Sequence, residues 1–280
     1  MIQASVEQLK DLELVQCLSQ SAQDKLMSEV NLITFTVGQQ MVLPEVIPGR
    51  ILLMLQGRAR LVGEDQGRVI SLGKFEAGSV LGAASLMCGA GLENLIASDA
   101  VVAAAISDEL WAEFYSSEPK FRNFCDAQLW ASEIVVVLKN LQQQNAQARI
   151  PFLELFRLGL KNAGRVPLSN EAINGAQNEQ RQVFLCSAWA GCTPGERLEP
   201  GTLPPESAPF PSRLISLPTA LVDQILNAES RPTDESSSTN VSTATANDSD
   251  TNSSALVPSP SEALVPVPAE MMPVSRFNPD

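Results

Sequence analysis

Between residues 32 and 106 the apolar runs are short, and they are cut at Gly38, Gly49, Gly57, Gly63, Gly67, Gly73 and Gly78. An amphipathic helix needs an unbroken 3.6-residue periodicity over about ten residues or more, and glycines at this spacing deny it. They suit tight turns between strands, so the stretch predicts many short strands closing into a sandwich or barrel. Pro44 and Pro48 fall between runs, where turns belong. The most apolar run, Ala100–Ile106, is seven residues long. That is far below the ~20 needed to cross a bilayer and fits a buried strand.

Helical patterns flank this region. Residues 5 to 31 read as helical, with Ser21 to Asp24 as an N-terminal cap and first turn ahead of Leu26, Met27 and Val30. Ser107, followed by Asp108 and Glu109, opens another helix with carboxylates placed to complement its dipole. Pro119 is tolerated in a first turn. After it, Phe121, Phe124, Ala127, Ala131, Ile134, Leu138 and Leu141 recur at steps of three and four, giving one continuous apolar stripe over 118–145. Two uses of the stripe stay open: packing on the strands and helices before it, or pairing with a second copy in a homodimer.

Residues 150–229 predict a small α+β connecting subdomain. Phe152 to Leu160 form an amphipathic helix ending near Gly164, Gln182–Trp189 a strand, and Ala220–Leu226 a last short helix, while six prolines from Pro194 to Pro211 exclude long regular elements. From residue 230 to 280 the composition turns to Ser, Thr, Asn, Asp, Pro and Ala, which predicts a disordered tail. The organisation expected is thus 1–149, 150–229 and 230–280.

Net charge and residue usage exclude several functions. The chain carries a formal charge of −13, and Lys+Arg against Asp+Glu is 11 to 17 over 1–149, 6 to 8 over 150–230 and 2 to 7 over 231–280. No stretch is basic, so neither nucleic acid nor an anionic membrane surface is an expected partner. The start has no basic segment ahead of an apolar one, so no direct membrane insertion is expected. There is no histidine. That removes Ser-His-Asp and Cys-His nucleophilic pairs and most mixed zinc sites, so the expectation is no enzyme, no metal and no cofactor. Cys17, Cys88, Cys125, Cys186 and Cys192 show no C-x-x-C pair and read as reduced thiols of a cytoplasmic protein.

Gly78-Ser79-Val80-Leu81-Gly82-Ala83-Ala84-Ser85-Leu86-Met87 has the outline of a phosphate-binding cassette. With Phe35–Gln39, the run Ile51–Val62 across Gly57, and Ile96–Val102, it resembles the cyclic nucleotide-binding domain family over roughly residues 5–145. The resemblance implies an α+β fold, a cyclic nucleotide-binding-like jelly roll flanked by helices. Ligand-binding members carry a glutamate for the ribose hydroxyls immediately after the glycine matching Gly82, and an arginine for the phosphate some nine residues later. Here Ala83 takes the first position, and Gly89–Asn94 holds no arginine. Between Arg68 and Lys120 the only basic side chain is Lys74. Glu93 places a negative charge where an anion would rest, which works against binding one. The candidate site is therefore a degenerate cassette: Gly78, Leu81, Gly82, Ala83, Ala84, Ser85 and Leu86.

Gly67–Phe75 fails as a nucleotide P-loop, having five residues between its glycines and Phe75 in place of the magnesium-holding Ser or Thr. It reads as a turn and a strand. Phe210–Pro218, ahead of the polar tail, is similar to the N-terminal regulatory region of bacterial peptidase-containing ABC exporters. The function expected is a non-catalytic regulatory or protein-interaction module, with an ABC exporter as the partner the resemblance implies. The alternative is a receptor for a small ligand in the cassette-like pocket, with Leu81, Ala83, Ala84, Leu86 and Met87 as its walls.

Overall fold

The computed structural model describes residues 5–145, 150–188, 191–199, 201–204 and 208–227. A 3-10 turn, Val6–Asp11, leads into α1 (Glu13–Gln16) and α2 (Gln20–Glu29). Eight strands follow: β1 (Asn31–Phe35), β2 (Gln40–Val42), β3 (Arg50–Gln56), β4 (Ala59–Asp65), β5 (Arg68–Phe75), β6 (Val80–Leu81), β7 (Leu95–Ala97) and β8 (Val101–Ser107), with α3 (Ala83–Cys88) between β6 and β7. They form two antiparallel four-stranded sheets, ordered β1-β8-β3-β6 and β2-β7-β4-β5. This strand order is that of a jelly roll. The strands expected at Ala100–Ile106 and after Gly67 are β8 and β5.

Side-chain alternation explains why β3 is apolar throughout. Leu52 and Met54 face the sandwich interior with Leu61, Leu72 and Leu95, whereas Ile51, Leu53 and Leu55 face the helices, with Trp111, Phe114 and Leu26. A strand covered on both faces loses the apolar-polar alternation of a half-exposed one. β8 repeats the device with small residues, Ala103 inward and Ala104 and Ile106 outward.

After β8 come α4 (Asp108–Ser117), α5 (Pro119–Ala127) and α6 (Ala131–Gln144). Ser107 caps α4, its hydroxyl accepting from the Leu110 amide at 3.2 Å. The cap of α2 is Ser19, two residues before the expected position, and it accepts from the Ala22 amide. Glu118 fixes that choice, because it accepts from both the Ser19 amide (3.0 Å) and hydroxyl (2.7 Å). The apolar stripe is carried by two helices rather than one, since the chain leaves helical geometry at Gln128–Trp130. Phe121, Ala131, Ile134, Leu138 and Leu141 are all buried within the chain.

The second region comprises α7 (Phe152–Asn162), β9 (Gly164–Val166), α8 (Asn170–Asn178), β10 (Arg181–Leu185), β11 (Leu214–Pro218) and α9 (Thr219–Leu226). Its antiparallel sheet runs β10-β11-β9. Val183, Leu185 and Leu214 pack with Ile173 of α8 on one face. Phe184, Ile215 and Leu217 join Ile134, Val137 and Leu138 of α6 in the core that continues into the sandwich. The expected tail, 230–280, lies outside the described residues. Among those described, no helix is long and apolar enough to cross a membrane.

Candidate functional site

The cassette is built as its glycines require. Gly82 stands ahead of α3 with φ of 89°, a left-handed conformation that costs glycine nothing. Glycine brings no side chain to cap the helix, and the first-turn amides need acceptors from elsewhere. Glu93 supplies them. Its Oε1 accepts from the Gly82 amide at 3.0 Å and its Oε2 from the Ser85 amide at 2.9 Å. The Ser85 hydroxyl in turn accepts from the Leu92 and Glu93 amides, each at 3.1 Å. The chain thus places its own carboxyl group on the amides at the start of α3.

Glu93 is buried, with 5% of its surface exposed. Burial raises its carboxyl above the ordinary glutamate value, while the Ser85 and Gly82 donors pull the other way and Glu133 adds to the rise. The loop carrying Glu93 is held by a close backbone approach: the Glu45 amide donates to the Gly91 carbonyl at 3.1 Å. A Cβ on Gly91 would lie 2.0 Å from the Val46 nitrogen. Gly91→Ala is therefore expected to lower stability by more than about 1 kcal/mol, because backbone rather than a movable side chain must give way. A fall in the urea midpoint without a change in slope checks this.

Each residue of the expected site has a definite place. Gly78 turns the chain at φ 91°, its amide donating to the Met54 carbonyl at 2.6 Å. Leu81 pairs with Leu52 and belongs to the sandwich interior. Ala83, Ala84, Leu86 and Met87 pack into the helical cluster with Trp111 and Phe114. Gly82 and Ser85 alone of this set contact Glu93 through hydrogen bonds. The space beside the cassette is bounded by Leu61, Phe75, Val80 and Glu93 on one side and by Trp130, Ala131 and Ser132 at the start of α6 on the other. Its volume is about 10 Å³, the scale of a single water.

The start of α6 is fixed there by a buried ion pair. Glu133 Oε2 accepts from the Trp130 amide at 2.9 Å, while Oε1 accepts from Arg213 Nε at 2.6 Å. Both side chains have 0% exposure. Arg213 also donates from Nη1 to the Cys125 carbonyl (3.1 Å) and from Nη2 to the Gln128 carbonyl (2.6 Å). One residue of the second region thereby ties the end of α5 to the start of α6. Burial alone would weaken the Arg213 proton affinity, but the charge and hydrogen bonds of Glu133 outweigh it and the net shift is upward.

Cys88 and Cys186 lie against the same carboxylate residue, at 3.9 Å from Glu133 Oε1 and from its carbonyl respectively. Burial, then the negative charge of Glu133, raises both thiols far above their ordinary value. They stay protonated and unreactive at neutral pH. All five cysteines are free. The Arg213–Glu133 pair was not foreseen from the sequence. Its one signal is that Arg213 is the only basic residue between Arg197 and Arg231, in a segment rich in proline.

No family model matches this chain, and no curated protein does. Among solved structures, it is similar to a putative cyclic nucleotide-binding protein from Geobacter metallireducens GS-15, with 15% identity over 43% of this chain and 89% of that one and a TM-score of 0.37. A cyclic nucleotide-binding domain from Methylobacillus flagellatus KT has 18% identity over 44% and 74%, with a TM-score of 0.37. A regulatory subunit of a cAMP-independent protein kinase A from Trypanosoma brucei has 16% identity over 44% and 46%, with a TM-score of 0.40. This chain spans less than half of that last protein. The jelly-roll strand order, the glycine-led helix between β6 and β7 and the helices on either side define the class. The fold is α+β, a jelly-roll sandwich flanked by helices, with a small mixed second region.

Proposed function

We propose that this protein is a non-catalytic regulatory module whose cassette is closed by its own Glu93 and which acts through contact with another protein. The observation that carries the reading is the pair of hydrogen bonds from the Gly82 and Ser85 amides to the Glu93 carboxyl group. A cyclic phosphate entering the cassette would have to displace a buried acceptor while meeting no cation in its place, because Lys74 is the sole basic residue between Arg68 and Lys120. The water-sized space beside Trp130 supports a closed cassette.

A peptidase-containing ABC exporter is the partner this reading names, on the similarity of residues 210–218 to the regulatory front of such transporters, and the cytoplasm is the compartment that partner implies. Leu43, Val46 and Ile47 support a contact role, being 57%, 50% and 44% exposed on the loop that meets Gly91 beside the cassette. Isothermal calorimetry with cyclic AMP and cyclic GMP tests the closed cassette. No saturable heat is expected from either, and tight stoichiometric binding of one of them would overturn the proposal. Co-purification with the cytosolic part of an exporter tests the partner, and its loss in Val46→Asp would map the contact to the cassette rim.

A further inference from the structure

The joint between the two regions holds a second cavity, unrelated to the cassette. It is walled by Asp126 and Ala127 at the end of α5, Arg165 of β9, Pro167 and Leu168 just after that strand, and Pro211 ahead of β11, with a volume of about 420 Å³. That lies within the range of small-molecule sites, about 300–1,000 Å³.

Two charged residues, Arg165 and Asp126, line it. Arg165 donates from Nε to the Asp126 carbonyl at 3.1 Å and from Nη1 to the Val166 carbonyl at 3.0 Å and the Leu214 carbonyl. These bonds fix the guanidinium but bring it no counter-charge, and among the described residues Arg165 forms no ion pair. The buried carboxylate of Glu133 is committed to Arg213. Burial, and then repulsion from Arg213, lowers Arg165 to about 10, which leaves it charged at neutral pH. Arg165 is partly exposed at the cavity wall, and its Nη2 makes no hydrogen bond among the described residues, so a carboxylate can reach the guanidinium there.

Asp126 lines the same cavity. Its Oδ1 accepts from the Tyr115 hydroxyl at 2.8 Å, and Oδ2 has no hydrogen-bond partner among the described residues. Arg165 and Asp126 are direct neighbours through the Nε bond to the Asp126 carbonyl. The cavity therefore offers a cation and an anion side by side, with apolar walls at Pro167, Leu168 and Pro211. We propose that it binds an α-amino acid with a bulky apolar side chain, its carboxylate on Arg165, its ammonium on Asp126 and its side chain against Pro167, Leu168 and Pro211. Such a ligand bridges α5 to the second region and would stabilise the joint. The proposal does not rest on the closed cassette, and cyclic nucleotides play no part in it.

Calorimetry on the full chain with L-phenylalanine and L-leucine tests it, alongside 3-phenylpropionate, which lacks the ammonium, and 2-phenylethylamine, which lacks the carboxylate. Saturable one-to-one binding of at least one amino acid is expected, with each phenylalanine analogue weaker by about tenfold or more for want of one charge-assisted contact. Arg165→Met should abolish binding but also removes three backbone hydrogen bonds. Ala127→Trp therefore serves as the second variant, filling the cavity from an exposed position, with wild-type melting and lost binding expected. The proposal fails if neither amino acid binds at millimolar concentration, if 3-phenylpropionate or 2-phenylethylamine binds as well as phenylalanine, or if Ala127→Trp melts and binds as wild type.

Discussion

Arg213→Met is expected to lower the unfolding free energy by about 3–5 kcal/mol, because it leaves a carboxylate buried without its counter-ion. Glu133 would keep the Trp130 amide on one oxygen and only the weak Cys88 thiol contact on the other, and the Cys125 and Gln128 carbonyls would lose their donors. Solvent screening offers no relief, since neither partner of the pair is exposed. The double variant Arg213→Met with Glu133→Leu should recover a large part of the loss, because a desolvated ion pair replaced by apolar groups is often close to neutral. Urea denaturation of the two single variants and the double variant measures the coupling. A single-variant cost below about 1 kcal/mol, the level of an exposed pair, would mean that Arg213 is hydrated and the joint open.

How far such a joint is legible in sequence depends on how local its causes are. The sandwich is legible because glycines mark its turns and the run Ile51–Leu55 has the unbroken apolar character of a strand covered on both faces. Ser107 is legible as a cap because its acceptor role needs only the amide three residues on. Ser19 and Ser21 are locally equivalent candidates for the next cap, and Glu118, 99 residues from Ser19, decides between them. The same holds for Arg213 and Glu133, 80 residues apart.

β9, α8 and β11 went unread for another reason. The prolines from Pro194 to Pro211 suggested an irregular end, yet β11 is the middle strand of its sheet. Its central Ser216 breaks the apolar run but is buried and accepts from Arg181 Nε at 2.9 Å. A polar residue satisfied by a distant arginine looks like a turn residue until the partner is seen. The short helix α8 follows a serine cap, Ser169, whose hydroxyl accepts from the Ala172 amide at 3.1 Å. That local signal is present in the sequence, but the small and polar residues after it leave only Ile173 to mark an apolar face.

Of the cassette, the sequence shows what is missing and geometry shows what replaced it. The lack of a phosphate-binding arginine and the presence of a nearby acidic residue are both readable from Gly89–Asn94. That the acid turns inward follows only from the backbone contact between Gly91 and Glu45, which swings Glu93 toward α3.

Glu93→Ala is accordingly expected to cost about 2–4 kcal/mol, since two buried amides lose their acceptor together. Formate or acetate should restore part of the loss by entering the vacated space, raising the melting temperature of the variant and not of the wild type. No rescue at any concentration would show that α3 rearranges and that the two amides are not a preformed carboxyl-binding site. Glu93→Gln separates charge from shape. Because burial raises the folded-state carboxyl above its ordinary 4.5, the native state holds the proton more tightly than the unfolded one. The stability this contributes is fully present below pH 4.5 and is lost as pH rises through the raised value. The difference in stability between wild type and Glu93→Gln should therefore shift against the wild type as pH rises from 4.5 toward neutrality. A difference that moved the other way would mean that the Gly82 and Ser85 amides outweigh burial and hold the group as a carboxylate, which would make the cassette a true anion site filled from within.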